Sequence, residues 1–177
     1  MKRSNPHMGP YEAEPELTID TGARYSAQVV TSKGSMTIAL DPLGAPRTVN
    51  SFVFLAREGY FDGVGFHRII PGFVVQGGDP TETGTGGPGY RFSDELPPPG
   101  RYEIGSVAMA NSGPDTNGSQ FFIVSGPDGA SLPPSYSLFG KVVKGLDTLA
   151  AIDAVGTRSG SPSERVVIES VTITEQR

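Results

Sequence analysis

Residues 66–79 read FHRIIPGFVVQGGD. Phe66, Ile69, Ile70, Phe73, Val74 and Val75 supply what a buried strand needs, yet Arg68 stands among them and Gln76 ends the run before Gly77-Gly78. The Pro71-Gly72 pair is a turn signal, so the stretch predicts strands over 64–70 and 73–77. Arg68 then has two readings. It snorkels from the solvent face of a half-buried strand, or it is placed there for chemistry. Strand parity puts Phe73 and Gln76 on opposite faces. They meet at one site only if the Pro71-Gly72 break or a bulge changes the register.

Outward from this stretch the periodicities are clear. YSAQVVTSKGSMTIAL (25–40) alternates about Lys33-Gly34, with Tyr25, Ala27 and Val29 on one face and Met36, Ile38 and Leu40 on the matching one, which predicts a β-hairpin. APRTVNSFVFLAREG (45–59) changes period, placing Val49, Phe52, Val53 and Ala56 along one helical face. Pro46 suits a first helical turn and Gly59 a C-terminal stop. Further strands are expected at 104–110, 119–125, 137–143 and in RVVIESVTIT (165–174), with a second helix at 145–153. Many short strands with turn signals and two helices predict a mainly β barrel or sandwich, closed so that few strand edges are exposed.

Composition removes several function classes. The 177 residues predict one domain over 21–177; residues 1–20, broken by Pro6, Pro10 and Pro15, read as a flexible tail or a cloning remnant. A formal charge of −5 argues against nucleic acid or an anionic membrane as the main partner. With no cysteine there is neither disulfide nor thiolate chemistry. Only His7 and His67 could serve a histidine-based metal site or triad, and no ligand-spaced cluster surrounds His67. No apolar run reaches the roughly 18 residues of a membrane span. The expected location is cytoplasmic, or alternatively that of a soluble domain trimmed from an anchored or exported protein.

GTGGPG (84–89) matches G-x-G-x-x-G formally, but Tyr90-Arg91-Phe92 and Pro97-Pro98-Pro99 follow instead of a helix. It reads as a surface loop, not a dinucleotide site. Asp79, Glu82, Asp94 and Glu95 offer either a carboxylate pair for acid–base work or, the preferred reading, solvated loop charges. MANSGPDTNGSQFFIV (109–124) sets a polar loop between two apolar strands, either a turn capped by its own side chains or a rim that hydrogen-bonds an extended peptide.

FHRIIPGFVVQGGD, GTGGPGY, MANSGPDTNGSQFFIV and FGKVVKGLDTL together resemble the cyclophilins, a class of peptidyl-prolyl cis–trans isomerases, in a bacterial-like form, from about Tyr25 to Ile173. The resemblance implies a closed eight-stranded antiparallel β-barrel capped by two α-helices. It implies catalysis of rotation about X-Pro bonds in unfolded or flexible polypeptides, assisting folding, by a monomer without cofactor or metal. Carried over position by position, Arg68, Gln76 and Asn111 resemble the catalytic group. Phe73, Val74, Phe122, Leu132 and Tyr136 resemble the proline pocket, Gln120 the polar surround of the arginine, and Ala110 with Asn111 the segment whose backbone pairs with substrate. Gly84, Thr85, Ser112 and Thr116 resemble the rim of the neighbouring subsite. Val74 stands where many members have methionine and Tyr136 where many have histidine. Ser131 falls where the best-known members have tryptophan, and this chain has none, so weak cyclosporin binding is expected. The alternative function is a non-catalytic module that grips proline-containing peptides and does not require Arg68.

Overall fold

The computed structural model describes residues 10–177. Its strands are β1 (Arg24–Thr31), β2 (Gly34–Leu40), β3 (Val64–Gly65), β4 (Arg68–Ile70), β5 (Val74–Gly77), β6 (Ser106–Met109), β7 (Phe121–Val124), β8 (Leu138–Lys144) and β9 (Val167–Gln176). The helices are α1 (Pro46–Arg57), α2 (Pro127–Ala130) and α3 (Leu146–Asp153). One antiparallel sheet holds all nine strands in the order β3-β9-β1-β2-β8-β6-β7-β5-β4.

That order forces the sheet to curl. Its two outermost strands, β3 and β4, are separated in the chain by Phe66 and His67 alone. Nine flat strands at the usual spacing would put the outer two about 38 Å apart. The three Cα steps from Gly65 to Arg68 span at most about 11 Å. The edges must therefore approach one another around a common interior.

The same connection corrects the expected eight strands and two helices to nine and three. The predicted 64–70 strand divides because its first part pairs with β9 (Val64↔Ile168) and its last part with β5 (Arg68↔Gln76). The extra helix, α2, is a single turn begun by Pro127, whose fixed φ suits that position.

The interior is filled from one face of the sheet and from α1. Ala27, Val29, Met36, Ile38, Ile69, Val75, Val107, Phe121 and Ile123 share one buried cluster with Val49, Phe52 and Val53 of α1. Phe52 sits 5.2, 5.7 and 5.3 Å, ring to ring, from Phe61, Phe121 and Phe139. Each such side chain contributes about 1.5–3 kcal/mol when fully buried. Helix α1 lacks a capping side chain at Ala45. Glu95 replaces it from afar, its Oε1 accepting from Thr48 N and Oγ1 at 2.7 and 2.8 Å and its Oε2 from Arg47 N at 3.2 Å.

Residues 1–9 of the expected tail lie outside the described residues. Residues 10–20 run over α1, where the Asn50 side chain accepts from Thr18 N and Ile19 N and donates to Glu16 O. Tyr11 N donates to Pro88 O at 3.1 Å, and its ring meets Phe54 edge-on at 5.1 Å. Among the described residues, no helix is long and apolar enough to cross a membrane.

Candidate active site

The β4–β5 hairpin answers the parity question posed by residues 66–79. Ile70 and Val74 are paired, so Pro71, Gly72 and Phe73 form a three-residue turn. Gly72 takes φ +75°, open to glycine at no steric cost, and Phe73 N donates to Ile70 O at 3.1 Å. Phe73 thus belongs to the turn and escapes strand alternation. Its ring reaches back to the Arg68 guanidinium, 5.8 Å from Cζ to the ring centroid. No bulge is needed.

Pairing then builds a row across the outer face. Arg68 lies opposite Gln76, Gln76 opposite Phe122, and Phe122 opposite Ala108. Ile69, Val75, Ile123 and Val107 point the other way, into the interior. Arg68 is exposed, and its Nη1 donates to Gln76 Oε1 at 3.3 Å. Gln76 Nε2 donates to Gln120 Oε1 at 3.1 Å, and Gln120 Nε2 donates to Gly84 O and Gly86 O at 2.9 and 3.1 Å.

Beside this polar row lies a second, smaller apolar cluster on the outer face. Val74, Tyr102, Ala108, Phe122 and Val124 are buried in it, with Phe73, Ala110, Leu132 and Tyr136 packed against them. Phe122 meets Tyr136 edge-on at 5.3 Å. Leu132 and Tyr136 come from the loop after α2, which Tyr102 holds in place. The Tyr102 hydroxyl donates to Tyr136 O at 2.6 Å and accepts from Tyr136 N at 3.2 Å. Burial pushes the Tyr102 pKa up, so the hydroxyl stays a donor.

On the other side of the row opens a cavity of about 850 Å³. Gln76, Gly84, Thr85, Ala110, Asn111, Ser112, Thr116 and Gln120 all line it. Its rim is fixed internally: Ser112 N donates to Thr116 Oγ1 at 2.8 Å, and Thr116 Oγ1 donates to Gly113 O at 2.8 Å. Asn111 Nδ2 donates to Ser135 O at 3.0 Å, tying the rim to the Leu132–Tyr136 loop. The fourteen residues singled out in the sequence therefore fall into an apolar cluster and a polar cavity, joined along Arg68-Gln76-Gln120 and sharing Ala110.

Tyr102, Tyr90 and Arg91 are participants to which sequence reasoning assigned no role, and Asp79 is one that it misread. Tyr90 closes the cavity wall and bonds Ser51 of α1 through its hydroxyl at 2.6 Å; burial pushes its pKa up to about 12. Among the described residues, Arg91 is the one charged side chain lining the cavity. Asp79 corrects an expectation outright. It was read as a solvated loop charge, but it is 0% exposed and its carboxylate accepts five hydrogen bonds. Burial alone would raise its pKa. Donors from Thr81, Gly86 and Gly84 outweigh that and hold it below the ordinary carboxylate value. Among the described residues, no group of three or more His, Cys, Asp or Glu side chains could hold a metal ion. The exposed guanidinium, the apolar cluster and the hydrogen-bonding rim are suited to binding an extended chain and donating to it, without covalent chemistry.

Comparison with known proteins agrees with that arrangement. The family model described as cyclophilin type peptidyl-prolyl cis-trans isomerase matches residues 26–173. The chain is 46% identical over 155 residues to peptidyl-prolyl cis-trans isomerase-like 2 of Cryptococcus neoformans, a match covering 83% of this chain and 27% of that relative. It is 43% identical over 171 residues to peptidyl-prolyl cis-trans isomerase B of Streptomyces anulatus, covering 83% of this chain and 95% of that one. The crystal structure of a Cryptosporidium parvum cyclophilin-type isomerase in the presence of the dipeptide Ala-Pro superposes with a TM-score of 0.78 at 33% identity, covering 84% of this chain and 98% of that one. The chain thus spans about a quarter of the Cryptococcus relative's length but nearly all of the Streptomyces one's. On the family match and these identities, this chain belongs to the cyclophilin-type peptidyl-prolyl cis–trans isomerases.

Proposed function

We propose that the outer face binds a proline-containing segment of an unfolded or flexible polypeptide and that Arg68 drives rotation about its X-Pro bond. The observation that carries this reading is the Arg68 guanidinium, steadied by Gln76 and Phe73 beside the apolar cluster. The Cryptosporidium parvum relative was crystallised with Ala-Pro, which fits the same ligand class.

An X-Pro bond is held by amide resonance behind a barrier of about 18–20 kcal/mol. Its two planar forms differ by roughly 1 kcal/mol and exchange over tens to hundreds of seconds. Acceleration needs no nucleophile; it needs a site that favours the twisted amide over either planar form. Twisting returns a lone pair to the prolyl nitrogen. The Arg68 guanidinium donates to it. Phe73, Val74, Phe122, Leu132 and Tyr136 hold the ring. Ala110 and Asn111 anchor the chain through their backbone, while Gly84, Thr85, Ser112 and Thr116 receive a neighbouring residue. Lowering the barrier by ~7 kcal/mol gives roughly a 10⁵-fold acceleration.

The test is exchange spectroscopy on a short X-Pro peptide. Catalytic amounts of the protein are expected to accelerate cis–trans exchange, and an unchanged rate overturns the assignment. Cyclosporin binding is proposed to be weak, because Ser131 offers no indole donor or aromatic face where the best-known members carry tryptophan. Isothermal titration is expected to return a micromolar or weaker Kd; a nanomolar value contradicts this.

A further inference from the structure

We propose that Asp79 is a positioning residue for Arg68, acting through the 81–86 loop that it gathers and the side-chain hydrogen bonds of Gln120 and Gln76. This rests on the reading of Arg68 as the group that acts on the prolyl nitrogen. Asp79 lies at the end of β5, after Gly77-Gly78, and turns inward under the 81–86 loop. Its Oδ1 accepts from Thr81 N and Thr81 Oγ1 at 2.8 and 2.7 Å. Its Oδ2 accepts from Thr83 N, Gly84 N and Gly86 N at 3.2, 2.7 and 3.1 Å. Among the described residues, this buried carboxylate has no ion-pair partner within salt-bridge distance; backbone and hydroxyl donors alone satisfy it.

The loop it gathers presents the carbonyls of Gly84 and Gly86 outward to Gln120 Nε2. Gln120 Oε1 then receives Gln76 Nε2, and Gln76 Oε1 receives Arg68 Nη1. Every donor in this series points away from the guanidinium and towards the loop that Asp79 gathers. From the guanidinium to the loop carbonyls the two side-chain amides are aligned, an arrangement in which successive bonds strengthen one another; Asp79 sets where those carbonyls stand by holding the N–H groups of the same two glycines. The alignment also fixes both glutamines. Flipping Gln120 would set its NH₂ against that of Gln76 and its oxygen against two carbonyls. With Gln120 held, Gln76 can offer only its oxygen to Arg68, which selects one guanidinium placement. The geometry leaves no slack at the loop: a Cβ on Gly86 would collide with Asp79 Oδ1, and one on Gly78 with Ser119 O.

A purely structural role for Asp79 makes a different prediction, and kinetics separate the two. Gly84 and Gly86 line the cavity. If Asp79 merely shapes that wall, its loss weakens substrate binding and raises KM with kcat intact. If it positions Arg68, the loss falls on an interaction made in the transition state, and kcat drops at unchanged KM.

The experiment measures kcat and KM on an X-Pro peptide for wild type, Asp79→Asn, Gln120→Ala and the double variant, with the NMR signal of the Arg68 Nε–Hε group as an independent readout. Asn at position 79 keeps the shape but turns an NH₂ toward backbone N–H donors. Each single variant is expected to lose at least about tenfold in kcat at constant KM, a loss in keeping with small misplacements of a reacting group. The Arg68 signal is expected to shift in both. The double variant is expected to be no slower than Gln120→Ala, since the chain is already cut. A rise in KM alone, an unmoved Arg68 signal, or losses that multiply in the double variant overturn the proposal. Should Asp79→Asn be unfolded at the assay temperature, Thr81→Val takes its place. It removes one donor to Oδ1 and is expected to lower kcat by about threefold; full kcat there overturns the proposal. An inactive wild type, or full activity in Arg68→Ala, is a different result. Either defeats the assignment of function, whereas an active, Arg68-dependent wild type with full kcat in Asp79→Asn defeats this inference alone.

Discussion

Arg68→Ala is expected to lower kcat/KM for an X-Pro peptide by about 10²–10³-fold, the loss seen when one preorganised donor is taken from a transition state. Its melting temperature should stay close to wild type, because the side chain is exposed and touches little beyond Gln76 Oε1, the Phe73 ring and the backbone near Gly160. The cost belongs to kcat. The planar substrate gains little from a guanidinium that its conjugated nitrogen cannot accept from, so KM should move much less. Arg68→Lys is the sharper control. It keeps the charge but loses the planar fork that bonds Gln76 and the prolyl nitrogen together, so most of the loss should persist. Exchange spectroscopy at saturating and sub-saturating peptide separates the two constants. Activity within twofold of wild type in Arg68→Ala would remove the arginine from the mechanism.

Phe121→Ala and Phe122→Ala should fail in opposite ways, although the residues are neighbours. Phe121 is 1% exposed and packs in the interior against Phe52, Phe61 and Phe66 at 5.7, 5.6 and 6.4 Å. Truncating such a residue costs about 3–5 kcal/mol, which in a chain of this size lowers Tm by on the order of 10 °C. The fraction that remains folded should keep near-wild-type kcat/KM, because the outer face is untouched. Phe122, 4% exposed, belongs to the small outer cluster with Val74 and Tyr136. Its removal opens space that water can enter, so the stability loss should be about 1–3 kcal/mol, below the range for a sealed core. Its kcat/KM should nevertheless fall by tenfold or more, as the proline ring loses its floor. Thermal melts paired with activity below both midpoints decide it. A catalytically intact Phe122→Ala would mean that the proline ring sits elsewhere.

The elements that could be read from the sequence are those whose signal is local. The 25–40 hairpin, α1 and β9 each carry a full period of alternating or helical apolar positions, and each forms where its pattern lies. The division of 64–70 left no such trace, because it depends on partners at Ile168 and Gln76 on two different neighbouring strands. Helix α2 is four residues of Pro, Asp, Gly and Ala, too short for any period to show. At the site, Arg68, Gln76 and Gln120 stood out by their setting or by family likeness. Tyr102 could not, since its part is to bracket the backbone of Tyr136, 34 residues away. Asp79 was misjudged for a physical reason. A carboxylate without a cationic neighbour is normally solvated, and what reverses that here is backbone N–H groups from its own loop, invisible in a string of Thr and Gly.

The seating of β9 between β1 and β3 carries a kinetic consequence. Val64 finds Ile168, and Arg24 finds Gln176, only after long loops have closed. Such pairings incur their entropic cost before any contact compensates for it. The β1–β2 and β4–β5 hairpins can form early, and β5 finds its second neighbour in β7, but β1 does not gain its second neighbour until residues 167–176 arrive. Folding should therefore be late and highly cooperative, with the final strand acting as the keystone. A chain cut before Val167 would leave the sides of β1 and β3 that β9 now occupies open to pairing with other molecules.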